Sequence, residues 1–247
     1  MVIYLYDGSF EGLMTAINHA LENNIEPDRI VRKNSYNNSL FSKPVYIKTD
    51  QELSLKLSTE LKIRLGQRAL KEIYYSFLSE KPNVEKNIYH YIKLGLVKGK
   101  DIHNVLTDEW VLEVKKMARK VSRESHRMLG LIRFRNLPED IYYAPIKPDF
   151  NILTILAPHF ARRLPSQKWV IHDKKRELAA IYNKTEWLIG DLSSDLKIQP
   201  DNEELAFQKM WQEYFKSVAI PNRKNKKLQR QFMPKKYREY LIENPES

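Results

Sequence analysis

The chain has 247 residues, of which 42% are hydrophobic and 11% aromatic, so it can bury a core as one domain or as a domain with a subdomain. It has no cysteine, which excludes disulfides, thiolate zinc sites, iron–sulfur clusters and cysteine nucleophiles. No apolar run reaches the length of a transmembrane helix, and the apolar opening ends too soon, at Asp7, for a signal peptide. We therefore expect a soluble, cytoplasmic protein with no membrane partner.

The net charge of +11 is concentrated in two segments. Residues 115–135 contain eight Lys or Arg and one Glu, and residues 219–238 contain eight Lys or Arg and no acidic residue. The rest of the chain is mildly acidic, with a net charge of −4. Positive charge confined to segments is typical of a protein that contacts a polyanion, and we expect nucleic acid before membrane.

The first elements are a strand over residues 1–6 and a helix that Ser9 can cap, with Leu13 and Ile17 on its apolar stripe. The spacing of Gly8, Ser9 and Gly12 would also suit a phosphate at the helix N-terminus. Because the pattern lacks the glycines and lysine of a P-loop, a structural turn is favoured. Residues 26–46 are predicted to be mostly loop, with a short strand at 44–47.

Helical periodicity dominates the next part of the chain. It predicts helices over residues 49–79, 83–97 and 101–106. We place a domain boundary at the Lys81-Pro82-Asn83 break. This divides the chain into an N-terminal strand–helix region, 1–82, and a core domain with a basic C-terminal segment, 83–245.

Residues 107–124 predict an amphipathic helix, with Trp110, Val114, Met117 and Val121 on its apolar stripe. Cations recur on the other side, and they continue beyond the helix. A solvated helix face usually alternates in sign, so phosphate contact is the favoured interpretation. The candidate nucleic-acid contacts here are Arg119, Arg123 and Arg127.

The central stretch predicts two strands, a helix and two further strands. The strands are placed at 128–134, 141–146, 169–172 and 177–182, and the helix starts near Phe150 with Asp149 as its cap. Pro158 is expected to kink this helix or to divide it in two. The predicted fold class is α+β, with a small, mostly antiparallel sheet in the order strand-strand-helix-strand-strand, covered by helices 49–124 and 201–240.

The last part combines a helix and a basic segment. The helix begins near residue 201, where Asp201 and Glu204 resemble a capping box, and its stripe is predicted to be buried: Phe207, Met210, Trp211, Tyr214 and Val218. The segment after it mixes cations, amides and aromatics, which suit phosphates, base edges and unpaired bases. A solvated basic helix is the alternative. The candidate nucleic-acid contacts of this basic segment are Arg223, Asn225, Lys226, Lys227, Gln229, Arg230, Lys235 and Lys236.

Histidines and aspartates of the central stretch supply the candidate catalytic groups. They are His172, His159 and Asp149, of which His172 lies among cations and suits a phosphate contact or general acid–base chemistry. A structural histidine on an apolar face is the alternative. Their spacing matches no metal motif, so we expect no metal site and no cofactor.

We further predict that six basic side chains converge on one surface, bordered by the C-terminal segment. They are Arg133, Arg162, Arg163, His172, Lys175 and Arg176. Strand ends carry functional loops, which motivates the prediction. The alternative is that these arginines form ion pairs with Glu139, Asp140 and Glu177 and only tie the hairpins together.

Several strings in the right order resemble one bacterial family of DNA-metabolism or DNA-repair proteins whose biochemical function is unknown. They are HRMLGLIRF, YYAPIKPDFNILTILAPHFARRLP, WVIHDKKRELAAIY and NRKNKKLQRQFMPKKYREYL, and the opening YLYDGSFEGLMTAI looks similar to that family's N-terminus. Members are typically encoded beside a radical-SAM protein, and the domain is also found fused to a uracil-DNA-glycosylase-like domain. The resemblance implies a DNA-repair context and a protein partner, and it transfers no catalytic residue.

Together these observations lead us to expect a DNA-binding accessory protein that presents its substrate to a partner enzyme, a radical-SAM protein by the resemblance. The alternative is an enzyme acting on DNA, a nuclease or glycosylase-like protein, through His172, His159 or Asp149. A scaffold whose basic surface meets an acidic protein is the third candidate.

Overall fold

The computed structural model describes residues 2–37, 43–193 and 202–218, together with 225, 227, 231 and 233–242. The chain divides into two compact units, Met1–Ser122 and Arg123–Ser247. The helix that follows Pro82 belongs to the first of these units, and the domain boundary expected at residue 82 stays a prediction.

The first unit contains a parallel three-stranded sheet. Its strands are β1 (Val2–Tyr6), β2 (Arg29–Arg32) and β3 (Lys43–Tyr46), in the order β2-β1-β3. The central strand β1 is almost wholly buried, as its apolar composition requires. The strands expected at 1–6 and 44–47 are confirmed. Strand β2 was missed because its four residues, RIVR, lie inside a segment that reads as loop.

Four helices lie wholly within the described part of the first unit: α1 (Phe10–Glu22), α2 (Gln51–Leu65), α3 (Gln67–Phe77) and α4 (Val84–Lys98). Ser9 caps α1 as expected, since its hydroxyl accepts the backbone N–H of Gly12 at 2.9 Å. The single helix expected over 49–79 is wrong, because Gly66 adopts φ 91° and separates α2 from α3. The helix expected at 101–106 is a 3₁₀ turn, Gly99–Asn104.

Helix α5 (Glu109–Leu131) is longer than its sequence pattern suggested. The predicted strand at 128–134 is wrong, because α5 runs through its first half. The physical reason is visible in the burial: Val121 and Met128 are buried one helical repeat apart, and Ile132 continues the same face. The exposed Gly130 is tolerated in the last turn.

The second unit contains a mixed five-stranded sheet. Its strands are β4 (Arg135–Leu137), β5 (Ile141–Ile146), β6 (Lys168–Asp173), β7 (Leu178–Tyr182) and β8 (Trp187–Asp191), and they lie in chain order. Only the β5–β6 pair is parallel. The α+β class and the mostly antiparallel sheet are therefore confirmed. Strand β4 lies after the segment predicted as the first strand, 128–134, and β8 was not predicted as a strand.

Helix α6 (Leu153–Arg163) connects the two parallel strands, as a parallel pair requires. It packs on the sheet through Leu156 and Phe160, both buried. Asp149 is not its cap, because the residue at the cap position is Ile152 and no side chain caps the helix. Pro158 lies within one continuous helix, so the alternative of two short helices is wrong.

Helix α7 (Asn202–Val218) packs on β4, where Glu204 accepts the backbone N–H of Asn136 at 3.0 Å. The predicted buried stripe of this helix is wrong. Phe207 is 66% exposed, Met210 63%, Tyr214 56% and Trp211 44%. Asp201, the other half of the expected capping box, lies outside the described residues. In the described part of the chain, no helix has both the length and the apolar character needed to cross a membrane.

Candidate nucleic-acid interface

A buried carboxylate organises one end of the sheet in the second unit. Glu124, at the inner face of α5, accepts the backbone N–H groups of Asp149 and Phe150, each at 2.9 Å. The hydroxyl of Tyr237 also donates to it. A charged acceptor with three donors holds the start of the β5–α6 connection and the C-terminal segment on α5.

Three cations surround Asp149, which lies on this connection. Lys236 forms an ion pair with the Asp149 carboxylate and lies 3.9 Å from Glu124. Lys175 donates to the Asp149 carbonyl at 3.0 Å, and Arg176 donates to the same oxygen at 2.9 Å. We call this group the Asp149 cluster: Glu124, Asp149, Lys175, Arg176, Lys236 and Tyr237.

The β6–β7 turn positions two members of the cluster. Asp173, fully buried, accepts the backbone N–H of Lys175 at 3.0 Å and pairs with Arg176 at 2.9 Å. Arg176 is therefore held in place by Asp173 and by the Asp149 carbonyl, and its side chain is only 9% exposed. Lys175 is exposed, and only one of the three donors of its ammonium group is used on the carbonyl.

Burial and hydrogen bonding also set the protonation of Tyr237. Burial, followed by the hydrogen bond to Glu124, raises the pKa of Tyr237 well above its usual range, with Arg127 acting in the opposite direction. The hydroxyl therefore stays protonated and donating at neutral pH. The electrostatic effect of Arg127 also places this residue of α5 close to the cluster.

His172 lies in the same part of the fold but inside the core. It is fully buried, and its two ring nitrogens lie 2.8 Å from the Tyr143 hydroxyl and 3.0 Å from the Leu192 carbonyl. Because a carbonyl only accepts, Nε2 carries the proton and Nδ1 accepts from Tyr143. Burial, with a smaller effect from Lys174, lowers the pKa of His172, so the ring is neutral. This arrangement is that of a structural histidine.

The other two candidate catalytic groups lie elsewhere. His159, on α6, packs edge-on against Phe160 at 5.1 Å, and its buried Nε2 has no hydrogen-bond partner in the described chain. Asp149 is engaged by Lys236. Among the described residues no hydrogen bond or ion pair joins His172, His159 and Asp149, and no three potential metal ligands form a group that would hold an ion. Their catalytic role stays a prediction.

The cations of α5 are on its outer face, as the sequence pattern predicts. Arg119, Arg123 and Arg127 are exposed, and none forms an ion pair with another described residue. Arg123 and Arg127 belong to the second unit, and Arg119 to the first. Lys116 instead pairs with Glu113, and Lys115 donates to the His103 carbonyl.

The predicted convergence of six basic side chains is wrong. Because β5 and β6 are parallel, α6 returns the chain to the end of the sheet where β6 begins. Arg162 and Arg163 lie at that end, exposed, whereas Lys175 and Arg176 follow the other end of β6, about 16 Å away. Arg133 donates to the Gly130 carbonyl at 2.8 Å and lines a cavity beside α7.

For Arg176, the structure shows an ion pair with Asp173 at 2.9 Å. In the C-terminal segment, Asn225 and Lys227 are exposed, and Lys236 borders Lys175 and Arg176 through Asp149. Outside the described residues lie Arg223, Lys226, Gln229, Arg230 and the side chain of Lys235.

Sequence reasoning missed Glu124 and Tyr237, the two residues that hold the cluster together. A signal for Glu124 was present, because it is the only acidic residue among residues 115–135. A single carboxylate in a strongly basic helix is a candidate for a buried anchor, since a solvated face would carry several.

The fold and the cluster define an α+β protein whose second unit places cations around the ends of two parallel strands, a common place for ligand sites. The sequence matches the family model of a domain of unknown function, DUF4130, over residues 82–243. The chain therefore belongs to this family, and the match extends over both units. No curated protein matches the sequence.

Proposed function

We propose that the protein binds DNA through a basic surface of its second unit and acts as an accessory protein that presents the DNA to a partner enzyme. The observation that carries the proposal is the arrangement of charge around the Asp149 cluster. Arg123, Arg127 and Lys175 are exposed, whereas the carboxylates of Glu124 and Asp173 are buried. These three cations face outward and the two buried carboxylates serve as internal anchors, while the exposed Asp149 carboxylate is paired with Lys236. Positive charge that faces outward is what phosphate contact requires.

The arginines of α5 are suited to this role by their spacing. Arg123 and Arg127 are four residues apart on one helix, so they lie on the same face about 6 Å apart along the axis. Successive phosphates of one DNA strand are separated by a similar distance, and each guanidinium can donate two hydrogen bonds to one phosphate.

The repair context and the identity of the partner rest on the family resemblance given above. The chain has no cysteine, so an iron–sulfur cluster and its radical chemistry would belong to the partner. We also propose that the protein acts in the cytoplasm. The enzymatic alternative has no specific support in the geometry, because both nitrogens of His172 are engaged inside the core.

The test is the salt dependence of DNA binding, measured by fluorescence anisotropy with a labelled duplex of about 20 base pairs. Affinity should fall by several orders of magnitude between about 50 and 200 mM salt. The double variant Arg123→Glu/Arg127→Glu should lower affinity about tenfold or more and reduce the salt slope by about 2. The matched control is Lys62→Glu/Lys98→Glu, which makes the same charge change at exposed positions of the first unit.

An affinity that ignores salt, or that both double variants lower equally, contradicts the proposal. An assay for turnover of damaged DNA distinguishes an accessory protein from an enzyme. Oligonucleotides with damaged bases should remain intact with and without divalent metal. If the wild-type protein forms a product and His172→Ala abolishes it without loss of DNA binding, the protein is an enzyme and the accessory role is wrong.

A further inference from the structure

A second surface of the same unit has the size and composition of a ligand site. A cavity of about 640 Å³ lies between α7 and the chain that leaves α5, within the usual range for small-molecule sites. Aromatic and apolar side chains form most of its wall, including Phe134, Trp211 and Tyr214, and polar groups come from Arg133, Glu204 and Gln208.

The two aromatic rings of α7 form an exposed platform. The centroids of Trp211 and Tyr214 are 5.7 Å apart and their planes differ by 34°. Residues three apart on a helix share a face, so both rings lie on the side of α7 that lines the cavity. Large aromatic rings left this exposed mark a binding surface rather than a core, and a flat π-system is the natural complement of such a platform.

The floor of the cavity is fixed to the core. Phe134 lines the cavity and packs edge-on against Phe160 at 5.3 Å, and Phe160 in turn contacts the fully buried Trp169. The platform therefore faces a wall that is already packed, so little ordering is needed when a ligand enters.

The polar groups of the cavity offer both donors and acceptors. Glu204 is an acceptor held by the backbone N–H of Asn136 at 3.0 Å and by the Gln208 amide at 2.8 Å. Arg133 donates to the carbonyls of Gly130 and Ile132 at 2.8 and 3.2 Å, which holds its guanidinium beside the cavity, and Gln208 has both kinds of group. The edge of a nucleobase carries both donors and acceptors, so it suits a wall of this mixed composition.

Charge favours a nucleic acid as the occupant. Residues 123–247 contain 23 Lys and Arg and 16 Asp and Glu, so the unit that carries the cavity has a net positive charge. A flat ring that arrives attached to phosphates is attracted by this charge, whereas an apolar peptide gains nothing from it.

We propose that this cavity takes an unpaired nucleobase, stacked on Trp211 and Tyr214 with its edge toward Arg133, Glu204 and Gln208. The inference rests on the proposed function and deepens it. The DNA that the basic surface holds is single-stranded, or contains a base displaced from the duplex.

The experiment compares a labelled thymidine oligomer of about 20 nucleotides with a duplex of the same length by anisotropy. Trp211→Ala and Tyr214→Ala should each weaken binding of the oligomer by about 5- to 100-fold and leave binding of the duplex nearly unchanged. Trp211→Phe should retain most of the affinity, because a ring remains for stacking. Leu205→Ala is the matched control, since Leu205 is an exposed apolar residue on the opposite side of α7.

Tryptophan fluorescence adds a readout that a loss of stability would not imitate. The oligomer should quench the emission of the wild-type protein, and Trp211→Phe should remove most of that quenching while it still binds. Circular dichroism confirms that each variant is folded.

Failure of the two proposals can be told apart. If Trp211→Ala binds the oligomer normally and Arg123→Glu/Arg127→Glu does not, the base site is wrong and the DNA-binding surface stands. If the wild-type protein binds neither DNA, both fail. If Trp211→Ala abolishes self-association or capture of a protein, with oligomer affinity unchanged, the cavity belongs to a protein partner and the inference is overturned.

Discussion

Helices α5 and α7 both carry an apolar stripe at helical spacing, and they differ in whether the rest of the protein covers it. The stripe of α5, which includes Val121 and Met128, is buried, and its cations face outward. The stripe of α7, which includes Met210 and Trp211, is exposed. Periodicity places apolar side chains on one side of a helix, and the surrounding chain decides whether that side is core or contact surface.

The difference has a local cause within the second unit. The inner face of α5 contains the buried Glu124, which ties the β5–α6 connection and the C-terminal segment to this helix. Helix α7 contacts the short strand β4 through Glu204, and its stripe of Met210 and Trp211 stays exposed beside the cavity. The α5 surface therefore contributes to stability, and the α7 surface is available for binding.

The largest expected effect comes from the same substitution in the two helices. Met128→Ala should lower the free energy of unfolding by about 2–4 kcal/mol, because a buried methionine leaves a cavity. Met210→Ala should change it by less than about 0.5 kcal/mol, since the side chain is exposed. Urea unfolding followed by circular dichroism measures both. Equal destabilisation by the two variants would show that the α7 stripe is covered in solution.

The next effect concerns the polar anchor on the covered face of α5. Glu124→Gln should lower the free energy of unfolding by about 2 kcal/mol, because charged hydrogen bonds to Asp149, Phe150 and Tyr237 are replaced by neutral ones. The control is Glu113→Gln, which removes only a surface ion pair with Lys116 and should cost less than about 0.5 kcal/mol. Faster hydrogen exchange at the Asp149 and Phe150 amides should accompany the loss. If hydrogen exchange at these two amides is unchanged, Glu124 does not anchor the β5–α6 connection.

The buried His172 should make the stability of the protein depend on pH. Burial lowers the pKa of His172 in the folded state below its ordinary value of about 6.5. As the pH drops below about 6.5, the histidine is protonated in the unfolded state but stays neutral in the folded state. The free energy of unfolding should therefore fall with pH until the folded pKa is reached. His172→Gln should reduce this slope by up to about 1.4 kcal/mol per pH unit. His126→Gln, at an exposed position of α5, is the control and should retain the slope. Unfolding curves measured at several pH values between 7.5 and 5.5 test the prediction, which is contradicted if both variants behave alike.

The smallest expected effect separates the two ends of the sheet. Lys175→Glu should weaken duplex binding by about three- to tenfold, because Lys175 lies in the Asp149 cluster. Arg162→Glu makes the same charge change at the other end of β6 and should have a smaller effect. Anisotropy titrations at about 100 mM salt measure both. A larger loss for Arg162→Glu would move the DNA-binding surface to the end where β6 begins.

Much of the fold was predictable because it depends on local patterns. The strand at β1, the Ser9 cap, the helices α1 and α4 and the strands β5, β6 and β7 follow from periodicity and capping chemistry. The errors fall where a pattern is ambiguous. The run from Met128 to Phe134 suits a strand as well as the last turns of a helix, and only the burial of Met128 and Ile132 on the face of Val121 identifies it as helix.

The charge segregation was also determined by the sequence, since cations at intervals of four must share a face of α5 wherever that helix lies. The set of residues that forms the candidate site could not be predicted from local sequence. Glu124 is 26 residues from Phe150 and 113 residues from Tyr237 along the sequence, and no local sequence pattern indicates either contact. Arg162 and Lys175 are separated because a parallel connection returns the chain to the opposite end of the sheet. The sequence alone thus specifies which face of an element is charged or apolar, because that depends on spacing along the chain. Only the tertiary structure decides which faces are covered and which charges meet, because that depends on where distant segments pack.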